Sequence, residues 1–217
     1  MIRSTVISAA LLSSLSAFAQ DQEASNPPTA NSYSYVELSG RLYVPENEIE
    51  WGPEPFSYLP GVGGTASAQF LPYAFAFVEA EGYRRVEGEA EIEARSLGGG
   101  VGAAYPINDQ LDMLATVGYF GETMEFCRTN ICFEGDADGY VVGGGFRLKA
   151  NENFDLLAKY EHGFFDAEDI AGDSVEGDSG KIKLELHGGQ NGHGAVGGID
   201  ILEDSAYFKL GYRYTLD

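Results

Sequence analysis

The sequence is poor in positive charge. Its 217 residues include 13 Lys and Arg against 34 Asp and Glu, which gives a formal net charge of −21. Without a basic patch to neutralise phosphates, the chain is not expected to bind nucleic acid. The same negative charge raises solubility and repels anionic surfaces.

Long apolar runs and cysteines are also scarce. Beyond the first 19 residues no segment offers about 18 consecutive apolar residues, which excludes a further spanning helix. The two cysteines, Cys127 and Cys132, stand close together in CRTNIC. In an exported chain this spacing favours a disulfide that pins a loop tip. The alternative, a metal pair, lacks further Cys or a nearby His.

The N-terminus has the pattern of a secretory signal peptide. The segment MIRSTVISAALLSSLSAFA contains Arg3, a short apolar run, and Ala17-Phe18-Ala19 as an A-x-A cleavage site, whereas the alternative is a short buried helix. We therefore predict cleavage after Ala19. Residues 20–31 are then a disordered lead-in, because they offer nothing to bury. Residues 32–217 form one domain of a size that is ordinary for an all-β barrel.

Apolar and polar residues alternate through much of this domain, as in AYFKLGYRYTLD at its end. A period of two predicts strands with one apolar and one polar face. We predict an all-β, antiparallel up-and-down transmembrane barrel of eight strands, with tight turns on one rim and long connections at roughly 45–61, 124–137 and 166–203 on the other. Two strand-like stretches in the last connection, GKIKLELH and GAVGGIDI, would either form a protruding hairpin or make ten strands. In EGEAEIEARS, charged residues share a face with the apolar Leu97. Either a bulge interrupts the alternation, or these charges lie above the bilayer on a protruding strand end.

Periodicity alone does not say which face is inside. A soluble lipocalin-like barrel places the apolar face inward, whereas a membrane barrel turns it toward lipid. Aromatic residues near the strand ends of the apolar face favour the membrane, where such girdles lie at the interface. They are Tyr105, Tyr119, Tyr140, Phe154, Tyr160, Tyr212 and Tyr214.

The polar faces would then line the lumen. Charges in a narrow interior are costly unless they are paired, so we expect a paired network that plugs the barrel rather than a conducting pore. The predicted lumen charge network comprises Glu37, Arg41, Glu79, Glu81, Asp112, Arg147, Lys159, Glu161, Lys209 and Arg213.

Four stretches carry a resemblance to a known family. YAFAFVEAEGYRRV, GAAYPINDQLDMLATVGYFGET, DGYVVGGGFRLKANENFDLLAKYEH and SAYFKLGYRYTLD resemble strands of the small OmpA/OmpX-like outer-membrane β-barrel proteins. The resemblance implies a Gram-negative outer-membrane location, periplasmic termini, external loops, and contact with outer-membrane lipid and lipopolysaccharide. Such proteins commonly end on an aromatic residue, whereas this sequence ends Tyr-Thr-Leu-Asp. No peptidoglycan-binding domain follows the barrel, so that anchoring role is not expected.

The sequence offers little for catalysis, a cofactor or a defined metal site. It has three histidines, His162, His187 and His193, and no Ser beside a His in a recognisable motif, so we do not expect an enzyme. EGDADG at 134–139 opens like a calcium loop, but position twelve falls on Gly145 instead of Glu. The acidic run at 166–178 could hold divalent cations loosely.

These observations predict a monomeric barrel with a structural or surface-interaction role and a possible extracellular partner at its loops. The alternative is a small-solute channel or a ligand-binding barrel, including a soluble periplasmic one.

Overall fold

The computed structural model describes residues 33–49, 55–129, 131–168 and 174–216. The predicted signal peptide and lead-in, residues 1–31, lie outside these ranges. Each strand of the described chain pairs with its neighbours in sequence, and β1 pairs with β10 to close an antiparallel barrel. The strands are β1 (Tyr35–Pro45), β2 (Leu59–Leu71), β3 (Ala74–Glu87), β4 (Ala90–Asn108), β5 (Leu111–Arg128), β6 (Ile131–Asn151), β7 (Phe154–Glu168), β8 (Ser174–Gln190), β9 (His193–Ile201) and β10 (Ser205–Thr215).

The fold class is therefore confirmed, with ten strands, the second of the two predicted counts; the first, eight, is wrong. The two added strands, β8 and β9, occupy most of the stretch predicted to be a long connection at 166–203. They lie in the barrel wall because their alternation matches that of the neighbouring strands: β8 pairs along its length with β7, and β9 pairs with β10.

The two ends of the barrel differ. One end carries the start of β1 and the end of β10, and we call it the terminal rim. Its turns lie at 72–73, 109–110, 152–153 and 191–192. The opposite end is the distal rim. There β4, β5 and β6 are 19, 18 and 21 residues long, against 11 for β1. Because about 9–11 residues cross a bilayer, these strands extend well beyond the membrane at the distal rim.

This extension corrects a second prediction. The stretch 124–137, predicted to be a loop, is the outer part of the β5–β6 hairpin and is paired up to Arg128 and Ile131. On the neighbouring strand, Glu91, Glu93 and Arg95 share a face with Leu97 without a bulge, since β3 and β4 keep an unbroken register from Ala74 to Glu87. These charges therefore lie on the extended end of β4.

The outer and inner faces have the polarity expected of a membrane barrel. On β1, Leu38 is 69% exposed on the outside, whereas the adjacent Glu37 is 1% exposed on the inside. On β10, Leu210 is 74% exposed and Arg213 is 8% exposed. A soluble lipocalin-like barrel would have the reverse arrangement, because its apolar face would line the lumen. No helix in the described part of the chain is long and apolar enough to cross a membrane.

Candidate functional site in the barrel lumen

Aromatic and aliphatic side chains fill the lumen near the terminal rim. We call this group the lower cluster; its members are Tyr33, Phe75, Ala104 and Leu114, with Phe77 and Leu157 packed against them. Tyr33 precedes β1 and turns into the barrel, where its ring stacks on Phe75 at a centroid distance of 5.0 Å. Its hydroxyl donates a hydrogen bond to Asp112 Oδ2 at 2.7 Å. Tyr33, which leads into β1, thus helps to close the lumen at the terminal rim.

A second apolar group fills the lumen near the distal rim. This upper cluster consists of Phe56, Leu59, Tyr83, Ala90, Ile92 and Ala94, with Tyr43, Ile49, Met124, Phe126 and Tyr207 packed against them. Phe56 belongs to the β1–β2 connection and is fully buried. The backbone of Phe56 pairs with that of Ile49, which holds both residues over the inward faces of the extended strands.

Between the two clusters lies a layer of charged side chains that are paired at short distances. Glu37 accepts hydrogen bonds from Lys209 Nζ at 2.9 Å and from two nitrogens of Arg213 at 3.0 and 2.6 Å. Lys209 also reaches Glu185 at 2.5 Å. A buried carboxylate is tolerated only when its charge and lone pairs are satisfied, and Glu37 meets that condition.

A chain of polar contacts links this layer to the lower cluster. His187 lies between two carboxylates, with Nδ1 2.7 Å from Asp155 and Nε2 3.0 Å from Glu185. Asp155 in turn accepts a hydrogen bond from Arg147 at 2.7 Å. The Arg147 guanidinium lies 5.1 Å from the centre of the Tyr33 ring, so the lower cluster is tied electrostatically to the charged layer.

One part of the charged layer is packed more loosely. Lys183 Nζ is 3.9 Å from Glu79 and 3.8 Å from Asp200, distances that exceed hydrogen-bond length. The neighbouring Lys181 is 3.9 Å from Asp200 but pairs with Glu161 at 3.1 Å. We call Glu79, Lys183 and Asp200 the loose cluster; it borders a lumen cavity of about 290 Å³.

All ten residues predicted for the lumen network lie on inward faces, and the structure brings most of them into contact with one another. Glu37 contacts Lys209 and Arg213, Arg41 pairs with Glu81, and Lys159 pairs with Glu161. The other three meet residues outside the predicted set: Glu79 faces Lys183, Arg147 bonds Asp155, and Asp112 accepts from Tyr33.

The sequence reasoning missed the lumen residues of β8 and β9. Lys181, Lys183, Glu185, His187 and Asp200 all line the cavity. The predicted network omits them because it is drawn from eight wall strands, although KIKLELH is strand-like and its polar residues alternate strictly with Ile182, Leu184 and Leu186. Tyr33, which also lines the cavity, lies outside the alternating segments, whereas Glu122 continues the alternation of Asp112 to Phe120 and could have been included.

The remaining predicted features lie away from the lumen. Cys127 and Cys132 form a disulfide across the β5–β6 hairpin near its tip. They cannot serve as metal ligands in this form, although Glu125 lies beside them. His162 contacts Tyr160, and His193 contacts Tyr212, both on the outer face. Glu134 to Gly139 are strand residues of β6 rather than a calcium loop.

Comparisons with known proteins place these features in context. The family model described as "Outer membrane protein beta-barrel domain" matches residues 7–187. A search of the curated proteins gave no match.

Similar solved structures include Ail of Yersinia pestis, with 13% identity, a TM-score of 0.43, and coverage of 85% of this chain and 99% of that one. Neisserial surface protein A has 11% identity, a TM-score of 0.45, and coverage of 85% and 97%. The translocator domain of the autotransporter NalP from Neisseria meningitidis has 10% identity, a TM-score of 0.49, and coverage of 96% and 95%.

Proposed function

Because the chain belongs to the outer membrane protein beta-barrel domain family, we propose that it is an integral outer-membrane barrel with a structural or surface-interaction role and a plugged lumen. The observation that carries the proposal is the filling of the lumen at three levels. The lower cluster, the paired charges and the upper cluster succeed one another along the barrel axis. Ions crossing such a lumen would have to displace both apolar groups and separate buried ion pairs.

The path into the membrane is part of the same proposal. The signal peptide directs the chain through the inner membrane, is cleaved after Ala19, and leaves the barrel to insert with its apolar outer face against lipid. N-terminal sequencing of the protein recovered from outer membranes should begin at Gln20. A sequence that still includes the first 19 residues would contradict the processing step.

The surface role is assigned to the distal rim. The β5–β6 hairpin extends beyond the membrane-crossing length, is pinned by its disulfide, and carries outward-facing acids such as Glu134 and Asp136. An acidic surface repels lipopolysaccharide phosphates unless divalent cations lie between them. We therefore place any extracellular partner at this end of a monomeric barrel, together with the loosely held divalent cations predicted for 166–178, of which 169–173 lie outside the described residues.

The proposal assigns no catalytic step to the chain. His187 is enclosed by Asp155, Glu185 and Arg213, which satisfy both ring nitrogens and leave neither for a substrate. His162 and His193 lie on the outer face beside tyrosines. These surroundings support structural roles for all three histidines.

Electrical recording in planar lipid bilayers tests the plugged lumen. The refolded mature chain should give no regular single-channel steps. A Tyr33→Ala, Phe56→Ala double variant removes one ring from each of the two clusters that close the lumen, and its ion flux should rise. Regular steps from the unmodified chain would contradict the plug and support the second candidate, a small-solute channel, which the ten-strand width and the 290 Å³ cavity favour.

A further inference from the structure

The cavity in the lumen is lined by both apolar and charged side chains. The apolar ones include Phe77 of β3, Leu114 and Phe120 of β5, and Leu157 of β7. The charged ones include Lys181 and the loose cluster, with Lys183 on β8, Asp200 on β9 and Glu79 on β3. At about 290 Å³ the cavity is close to the smallest pockets that hold organic ligands, about 300 Å³.

Lys183 has unused hydrogen-bonding capacity at this cavity. Its side chain is buried, with the residue 9% exposed, and within the described ranges its ammonium makes no hydrogen bond. An ammonium carries three donors, and buried donors are normally satisfied. Other lumen lysines fit that rule: Lys209 has a carboxylate oxygen at 2.5 Å and Lys159 has one at 2.6 Å.

The two carboxylates nearest to Lys183 are in the same condition. In the described part of the chain, Glu79 and Asp200 have no cation closer than 3.8 Å and accept no hydrogen bond. One cationic donor thus lies within 4 Å of two carboxylates to which it makes no hydrogen bond, at the edge of a partly apolar space.

We propose that this cavity binds an α-amino acid with an apolar side chain, in its zwitterionic form. The ligand carboxylate accepts from Lys183, and the adjacent ligand ammonium donates to Glu79 and Asp200. A zwitterion offers a carboxylate to the lysine and an ammonium to the two carboxylates. A simple anion would be repelled by the two carboxylates, and a simple cation would be repelled by the two lysines. The apolar side chain lies against Phe77, Leu114 and Phe120, which line the cavity.

This inference goes beyond the proposed structural role and does not depend on it. A ligand has to pass only one of the two apolar clusters to reach the cavity, whereas conduction requires passage through both, so the conductance recordings do not decide the inference.

Calorimetric titration of the refolded mature chain in detergent micelles tests the inference. L-phenylalanine should bind saturably with one site per chain. Two analogues, 3-phenylpropionate and 2-phenylethylamine, each lack one of the two charged groups. Each should bind about tenfold more weakly or worse, because a hydrogen bond to a charged group is lost.

Two variants locate the site. Lys183→Met removes the ammonium while keeping an apolar stem, and should weaken phenylalanine binding about tenfold or more. Lys149→Met, at a lysine that does not line the cavity, should leave binding unchanged. Thr116→Leu fills the cavity without altering any charge and should abolish binding, which keeps the test decisive if Lys183→Met fails to fold.

Three results would each overturn the proposal. They are an absence of saturable heat with phenylalanine, equal binding of phenylalanine and its two analogues, and unchanged affinity in both Lys183→Met and Thr116→Leu. In those cases the loose cluster holds water alone.

Discussion

Glu37 illustrates what a buried charge requires inside this barrel. Lys209 and Arg213, both on β10, supply three hydrogen bonds to its carboxylate, and the side chain is almost completely removed from solvent. Such a pair contributes little net stability compared with an apolar pair, but removing one partner leaves an uncompensated charge.

Glu37→Gln should therefore destabilise the barrel by about 3–5 kcal/mol, because Lys209 and Arg213 lose their shared counter-charge. Glu91→Gln is the matched control: it breaks an ion pair with Arg84, whose side chain is 64% exposed, and should cost about 1 kcal/mol or less. Reversible urea unfolding in detergent or lipid vesicles measures both. Equal costs for the two variants would mean that the lumen pair is solvated like a surface pair.

For single residues, the sequence predicted which charged side chains face the lumen better than it predicted which of them pair. Strict alternation places Glu37, Arg41 and Arg213 on inward faces without any structure. Which cation meets which carboxylate depends on strand register, and for Glu79 and Arg147 the partners, Lys183 and Asp155, were absent from the predicted set.

At the scale of whole strands, β8 and β9 decide the architecture. Their turn, Asn191-Gly192, has φ values of 55° and 79°, the positive pair that a type I′ hairpin turn needs. Asn-Gly between alternating segments is a strong hairpin signal, and the sequence predicts these stretches either as a protruding hairpin or as two further wall strands. The local pattern cannot choose between the two, because the choice depends on the pairing of β8 with β7 and of β9 with β10.

Leu184→Arg tests whether β8 belongs to the membrane wall. Leu184 faces outward on the part of β8 that pairs with Ala158 of β7, between the aromatic residues Phe154 and Tyr160. An arginine near the middle of a lipid-facing strand should cost about 2–4 kcal/mol.

Glu176→Arg, on the outward face near the distal end of the same strand, is the control for Leu184→Arg and should change unfolding by less than about 1 kcal/mol. Urea unfolding in lipid vesicles compares the two. Equal, small effects would indicate a protruding β8–β9 hairpin and return the count to eight strands.

The β5–β6 hairpin gives a second prediction for an element. In a Cys127→Ser, Cys132→Ser variant the membrane part should stay folded, since these residues lie far from the barrel wall that crosses the bilayer. Loss of the disulfide should lower the free energy of unfolding by less than the value for a 15-residue disulfide loop, which is about 3 kcal/mol. Trypsin cleavage after Arg128, at the hairpin tip, should become faster. Cleavage at the same rate as in the parent chain would mean that strand pairing alone holds the tip.

On the scale of the whole molecule, polarity is inverted relative to a soluble protein. Apolar side chains cover the outside, charges fill the inside, and the two apolar clusters close the ends. The sequence predicted the faces because a period of two fixes which residues lie together, and the aromatic residues at strand ends indicated lipid. The sequence did not predict the two apolar clusters that close the lumen. Tyr33 and Phe56 lie outside the alternating segments, and only the folded structure shows that they enter the lumen.

The most direct test of this account is electrophoresis of isolated outer membranes in SDS, with unheated and boiled samples side by side. A closed barrel with a lipid-facing apolar surface should resist SDS when unheated and shift in mobility on boiling. The account predicts that shift, in the outer-membrane fraction. Recovery of the chain from the soluble periplasm with no shift would contradict it, because the apolar face would then have to line the lumen.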